Sequence, residues 1–218
     1  TWWIIIIRFS LALLSPHWLA LTFFALVSFV ALKEFLTLAP LRQSDRMPLL
    51  WMFIAIPLNY WLIGIGWYGM FTIFIPVYVF LFLPTRMVIA GDTHNFLRTA
   101  SQLHWGLMTT VFAFSHVAFL LILPSDNQST GALLVLFLVG LTELNDIAQY
   151  LWGKSLGHIK VTPKVSPNKT LAGLLGGVAT TAIVATVLGP VLTPLSSPMA
   201  LAAGAIIGIT GFCGDVVM

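Results

Sequence analysis

Eight apolar segments fill most of this chain, at residues 2–14, 18–33, 49–64, 70–84, 103–123, 131–152, 171–189 and 198–213. In hydrocarbon no water is present to take up backbone N–H and C=O groups, so segments of this kind must satisfy them internally as helices. About 20 helical residues cross a bilayer, and several of the eight runs fall short of that length. Of the 218 residues 59% are hydrophobic and only 8% are charged, and the mean hydropathy is +0.99, values outside the range of a soluble domain of this size. The sequence predicts an all-α fold, a polytopic integral membrane bundle of about eight transmembrane segments. The first two runs are separated only by Ser15, Pro16 and His17, which allows a tight hairpin or one long kinked helix. Pro57 and Pro76 lie inside apolar runs and read as kinks that neighbouring helices tolerate. A lone cysteine, Cys213, permits no intrachain disulfide.

Charge is placed unevenly along the chain. The stretches 33–48, 85–102 and 153–170 contain nine of the ten basic residues, while the tenth, Arg8, stands in the first apolar run where it can snorkel to the surface. By the positive-inside rule those loops are cytoplasmic, and eight crossings return both ends of the chain to that side. The early segments are rich in Trp, Phe and Leu, with Trp18, Trp51 and Trp67 near expected interfaces. The last two are rich in small residues. Gly173 with Gly177, and Gly204 with Gly208, fall four apart, the spacing at which helix backbones approach closely in lipid. The expected organisation is one functional unit with a soft division, residues 1–100 forming an aromatic-rich amino-terminal part and 101–218 a carboxy-terminal catalytic bundle. Thr1 is followed at once by apolar Trp2 to Ile7, so an upstream part of the protein is expected.

The polar chemistry is concentrated between Glu143 and Gly177. Glu143, Asp146 and Tyr150 share one helical face, and a loop with Lys154, Lys160, Lys164 and Lys169 follows. A carboxylate at membrane depth is costly, which points to a protein interior, an ion or a substrate. For Glu143 a helix-to-helix hydrogen bond or a lysine pair is the simpler reading. Ser166-Pro167-Asn168-Lys169-Thr170 has the composition of a helix start, and an uncapped helix amino terminus beside Lys169 would attract phosphate. Arg86 and Arg98 flank a loop with Asp92 and His94 and are expected there as juxtamembrane cations. His104 and His116 lack partners at metal-ligand spacing and read as satisfied packing histidines. No phosphate-binding P-loop, zinc-protease or serine-elbow motif is present.

Asn145, Asp146, Ala148, Tyr150, Gly153 and Gly157, followed by Ser166, Pro167, Lys169, Thr170, Gly173, Gly176 and Gly177, resemble the signature of the phosphatidate cytidylyltransferases, or CDP-diacylglycerol synthases. Gly214-Asp215 resembles the start of that family's second motif. The chain departs from the pattern at Asn168, where many relatives are basic, and at Leu171-Ala172. The resemblance implies conversion of CTP and phosphatidate to CDP-diacylglycerol and pyrophosphate. It implies catalytic roles for Asp146, Asp215 and Lys169, CTP contacts from Asn145, Ser166, Lys169 and Thr170, and Mg²⁺ on Asp146 and Asp215, with K⁺ a second candidate ion. It also implies a homodimer in contact with membrane lipids, no nucleic-acid partner, and a multi-pass place in a bacterial inner membrane with the site facing the cytosol. Two neutral-handed alternatives stay open: a CTP-dependent polyprenol or dolichol-type lipid kinase, and a non-enzymatic ion-coupled carrier.

The remainder of the second motif is not within these 218 residues, so this chain is expected to fold as a bundle yet to lack turnover that a longer parent has. The loop charges also make a topological prediction. Cysteines introduced near Lys164 and near Asp126 should react with membrane-impermeant reagent from opposite faces of the membrane, and labelling of both from one side would refute the eight-crossing arrangement.

Overall fold

Seven helices carry the apolar runs of the described residues. They are α1 (His17–Leu38), α2 (Arg46–Gly64), α3 (Tyr68–Ile89), α4 (Phe96–Ile122), α5 (Ser129–Leu156), α6 (Leu171–Leu192) and α7 (Ser197–Val217). The computed structural model describes residues 16–38, 46–91, 96–123 and 129–217. The apolar run 2–14, Arg8, Arg42, Asp92, His94 and Asp126 lie outside the described residues. The fold is an all-α polytopic membrane bundle. Among the described residues six helices are long and apolar enough to cross a bilayer, against about eight expected crossings; of the eight runs, 2–14 lies outside those residues and 49–64 falls on the shorter α2. In α2 the apolar part, Pro48–Gly64, is shorter than the other six; its 17 residues rise only about 25 Å at 1.5 Å each, near the lower limit for a span.

The chain divides into two compact units, Thr1–Pro124 and Ser125–Met218. In the first unit α1 and α2 are joined by a buried hydrogen bond between the Ser28 and Tyr60 hydroxyls, 2.8 Å long. Pro76 does not simply kink α3; it sits in a widened π-helical stretch, Phe74–Val79. Proline has no N–H and crowds the carbonyl one turn back, and the wider turn relieves both demands. A second such stretch, Met108–Phe112, interrupts α4, where the Thr110 hydroxyl donates to the Gly106 carbonyl at 2.7 Å. His116 is a satisfied packing histidine, its Nδ1 2.8 Å from the Phe112 carbonyl and its ring against Phe71 and Phe112. His104 departs from that expectation. Its ring packs edge-on to Phe80, but its buried Nδ1 has no partner.

The second unit comprises α5, α6 and α7, with α6 packed along both of the others. Their apolar contact centres on Phe137, Leu141 and Ala185, and closer to the polar end small residues take over. A methyl group on Gly204 of α7 would come within 2.8 Å of the Ala182 Cα and 2.9 Å of the Thr181 carbonyl oxygen on α6. One on Gly208 would meet the Val178 Cα at 2.9 Å. The Gly204/Gly208 pair of the sequence therefore marks a backbone-to-backbone seam, where dispersion contacts do the work that the hydrophobic effect cannot do in lipid.

Between α5 and α6 the chain is not helical. Strands β1 (Lys160–Thr162) and β2 (Ser166–Thr170) form an antiparallel hairpin, with Lys160 opposite Thr170 and Thr162 opposite Ser166. Val161, Thr162 and Val165 are β-branched and Pro163 stands in the turn, a local composition that favours extended chain and reversal over helix. Periodicity in the apolar runs could not announce so short a hairpin.

The α6–α7 seam yields a stability test. Gly204→Val should cost about 1–3 kcal/mol by overpacking against backbone that cannot retreat, read as a lowered unfolding midpoint in detergent. Gly140→Ala, where nothing lies within 4 Å of the added carbon, should leave the midpoint nearly unchanged.

Candidate active site

The last three turns of α5 present Asp146, Gln149, Tyr150, Gly153 and Lys154 on one face, at helical spacings of three and four. These side chains form one wall of a cleft of about 450 Å³, completed by Lys160 of β1, Asn168, Lys169 and Thr170 of β2, Gly173 of α6 and Phe212 of α7. Glycine makes the enclosure possible. A methyl group on Gly157 would lie 2.1 Å from the Gly153 carbonyl oxygen and 2.6 Å from Thr170 Oγ1. One on Gly173 would lie 2.8 Å from the Gln149 carbonyl oxygen. The hairpin end and the start of α6 thus press onto the end of α5 because none of these positions carries a side chain.

Three lysines, Lys154, Lys160 and Lys169, share this space with the Asp146 carboxylate. The Lys169 ammonium donates to Asp215 Oδ2 in an ion pair and lies 5.6 Å from the centre of the Phe212 ring. Phe212 and Asp215 are one turn apart on α7, so a single helix face supplies both the ring and the anion. Asp215 is not a lining residue itself, but it holds one that is. The charges of Asp215, Lys169 and Glu143 all act on the Asp146 carboxylate, so the three acids and the lysine influence one another electrostatically. Lys154 stands 5.6 Å over the Tyr150 ring and donates to its hydroxyl at 3.4 Å. Lys164 lies exposed in the hairpin turn, outside the cleft.

Other expected positions move. Asn145 is fully buried and does not line the cleft. It accepts from the Thr181 hydroxyl at 3.2 Å and donates to the Gly208 carbonyl at 3.4 Å. Its amide joins α5 to α6 and α7, so the structure places this residue at the helix contact and not among the cleft residues. Ser166 stands opposite Thr162 at the far end of β2 and is not among the lining residues. Nor does the stretch Ser166–Thr170 start a helix; it is the strand, and α6 begins after Thr170. The amino terminus of α6 is capped by a threonine of that stretch, Thr170 Oγ1 accepting from Gly173 N at 3.1 Å, and Leu171 N donates to the Ile159 carbonyl at 2.9 Å.

Among the described residues no three acidic, histidine or cysteine side chains gather as a ready-made metal cluster. The donor set at the cleft is Asp146 with Asp215. That set suits Mg²⁺, which takes one or two carboxylates and completes its shell with water and phosphate oxygens. Gln149 and Phe212 are cleft residues that sequence reasoning passed over. Each carries a usable signal, because Gln149 is three residues after Asp146 and Phe212 three before Asp215, on the same faces.

A model of the cytidylyltransferase family matches residues 1–218. An Escherichia coli K12 protein described as uncharacterized, YnbB, is 57% identical over all 218 residues, a match covering 72% of that protein. A phosphatidate cytidylyltransferase of Chlamydia pneumoniae is 26% identical over 95% of this chain and 63% of its own length. One from Chlamydia muridarum is 31% identical over 43% of this chain and 32% of its own length. The chain thus spans less than two thirds of each of these two named enzymes. No solved structure matches significantly. With the family match running the whole length of a helical membrane chain, and its polar groups gathered at one lysine-lined cleft, the chain belongs to the cytidylyltransferase family.

Proposed function

We propose that the protein transfers the cytidylyl group of CTP to phosphatidate, forming CDP-diacylglycerol and pyrophosphate. A phosphate oxygen of the lipid attacks the α-phosphorus, a new P–O bond forms, and the bond from the α-phosphorus to the bridging oxygen breaks as pyrophosphate leaves. Two polyanions must meet, so the site has to neutralise charge and align the groups. The single observation that supports the reading is one cleft lined by Asp146, Lys154, Lys160 and Lys169, with Lys169 held in an ion pair by Asp215, 69 positions after Asp146.

In this reading Lys154, Lys160 and Lys169 bind the triphosphate as point charges. The Asp215 carboxylate and the Phe212 face orient the Lys169 ammonium toward the cleft. Asp146 and Asp215 would hold Mg²⁺, which when bound draws charge from the phosphate oxygens and the leaving pyrophosphate. The Thr170 cap keeps β2 and α6 in register, so Lys169 cannot drift along the wall. The basic hairpin and the basic residues at the helix ends support a cytosolic face for the cleft, and bacterial relatives support an inner-membrane location.

The direct test supplies purified full-length protein with labelled CTP, Mg²⁺ and phosphatidate. Pyrophosphate with a CDP-lipid is the expected outcome; CDP with a phosphorylated alcohol would identify a lipid kinase instead, and no nucleotide turnover would favour a carrier. Asp146→Asn and Asp215→Asn should each lower turnover by about 100-fold or more while the protein stays folded and inserted. Lys169→Ala should raise the KM for CTP by about ten-fold and the KM for phosphatidate by less. Near-native rates in both Asn variants would make the carboxylates structural.

A further inference from the structure

Gln149 is the unexplained group in the cleft. The residue lines the cavity beside Asp146 and Thr170, is only 6% exposed, and neither Oε1 nor Nε2 of its side chain has a hydrogen-bond partner. Native proteins seldom leave a buried carboxamide without partners, because the desolvated donor and acceptor both cost free energy. The neighbouring amide of the bundle contrasts with it. Asn145, one turn deeper on α5, has both its amide atoms engaged by α6 and α7, and no such claim is made on Gln149.

The surroundings hold Gln149 in place without pairing it. A methyl group on Gly177 of α6 would stand 2.4 Å from Gln149 Cγ, so the side chain runs through the gap that this glycine leaves. The carboxamide is thereby fixed in position with a donor and an acceptor side by side. An ionised phosphate accepts only, so it can satisfy Nε2 and leaves Oε1 without a donor. The lysines already supply the phosphates with charge. What satisfies both ends of the amide is a group with a donor and an acceptor together: the amino-pyrimidine edge of a cytosine, or a ribose hydroxyl.

We propose that Gln149, positioned by Gly177, binds the nucleoside portion of the nucleotide through its donor–acceptor pair, so that the base or sugar sits at the α5 wall and the phosphates at the lysines. This rests on the cytidylyltransferase reading above. It makes Gln149 a specificity-determining residue, distinct from the charged groups that meet the phosphates.

The test uses purified full-length protein in detergent, with ligand-induced thermal shifts and steady-state KM as readouts. Probes are CTP, dCTP, UTP and inorganic pyrophosphate. Gln149→Leu should weaken CTP by about ten- to one hundred-fold, leave the response to pyrophosphate and the KM for phosphatidate unchanged, and leave the ligand-free melting temperature unchanged or higher. Gly177→Ala, which displaces the amide without removing it, should weaken CTP in the same selective way. A preference for CTP over UTP that vanishes in Gln149→Leu assigns the contact to the base; a preference for CTP over dCTP that vanishes assigns it to the ribose. Equal loss of pyrophosphate binding, undiminished CTP binding, or a marked fall in the ligand-free melting temperature would each overturn the proposal. Failure of the unsubstituted protein to respond to CTP would sink the cytidylyltransferase reading as well, whereas a CTP response kept in full by Gln149→Leu would sink this inference alone.

Discussion

Close approach of helix backbones in the carboxy-terminal unit is the constraint on which the cleft depends. In lipid the association of helices gains little from burying apolar surface, since the surrounding acyl chains are equally apolar. What remains is dispersion at short range and hydrogen bonding in a medium without water. Gly204 and Gly208 bring α7 onto the α6 backbone, and Gly153, Gly157 and Gly173 bring the start of α6 and the end of β2 onto α5. Asn145 joins the three helices at their common axis. Only with the helices at that distance can Lys169 at the end of a hairpin reach Asp215 on α7.

The polar end of this unit is therefore layered. Deepest is Asn145, with its amide satisfied by protein groups. One turn nearer the surface is Gln149, buried and without partners, and beside it are Asp146 and the lysines that line the cleft. Satisfaction of polar groups falls from the bundle axis toward the cavity, and this is the order expected where an interior must be rigid and a site must keep binding capacity for a ligand. Thr170 belongs to both layers, since it caps α6 and also lines the cleft.

Family membership and chemistry rest on different supports. The family model covers the whole chain, whereas the named phosphatidate cytidylyltransferases share 26–31% identity with it over partial lengths. The substrate and metal roles proposed above rest instead on the charged residues gathered at the cleft. The amino-terminal unit contributes differently. Its two π-helical stretches and its buried Ser28–Tyr60 bond are features of helix packing in an aromatic-rich bundle.

By itself the sequence determined the class of solvent and the class of fold, because apolar runs of this length and so few charges leave helices in a bilayer as the available solution. It also determined which residues carry charge near the membrane surface, and the Gly204/Gly208 spacing announced a seam that the structure contains. Tertiary structure decided the rest. Asn145 and Asp146 are adjacent in sequence and alike in motif, yet a rotation of about 100° per helical residue turns the first into the bundle axis and the second onto the cleft. The hairpin at 160–170 was hidden because three- and five-residue strands carry too little periodicity to be distinguished from a helix start, and it is what removes Ser166 from the site while keeping Lys169 in it. Gln149 and Phe212 share helix faces with Asp146 and Asp215, but that spacing alone assigns them no role, because a polar amide and an aromatic ring have no fixed meaning along a membrane helix. Their role depends on what other helices bring opposite them, and that is settled only by packing.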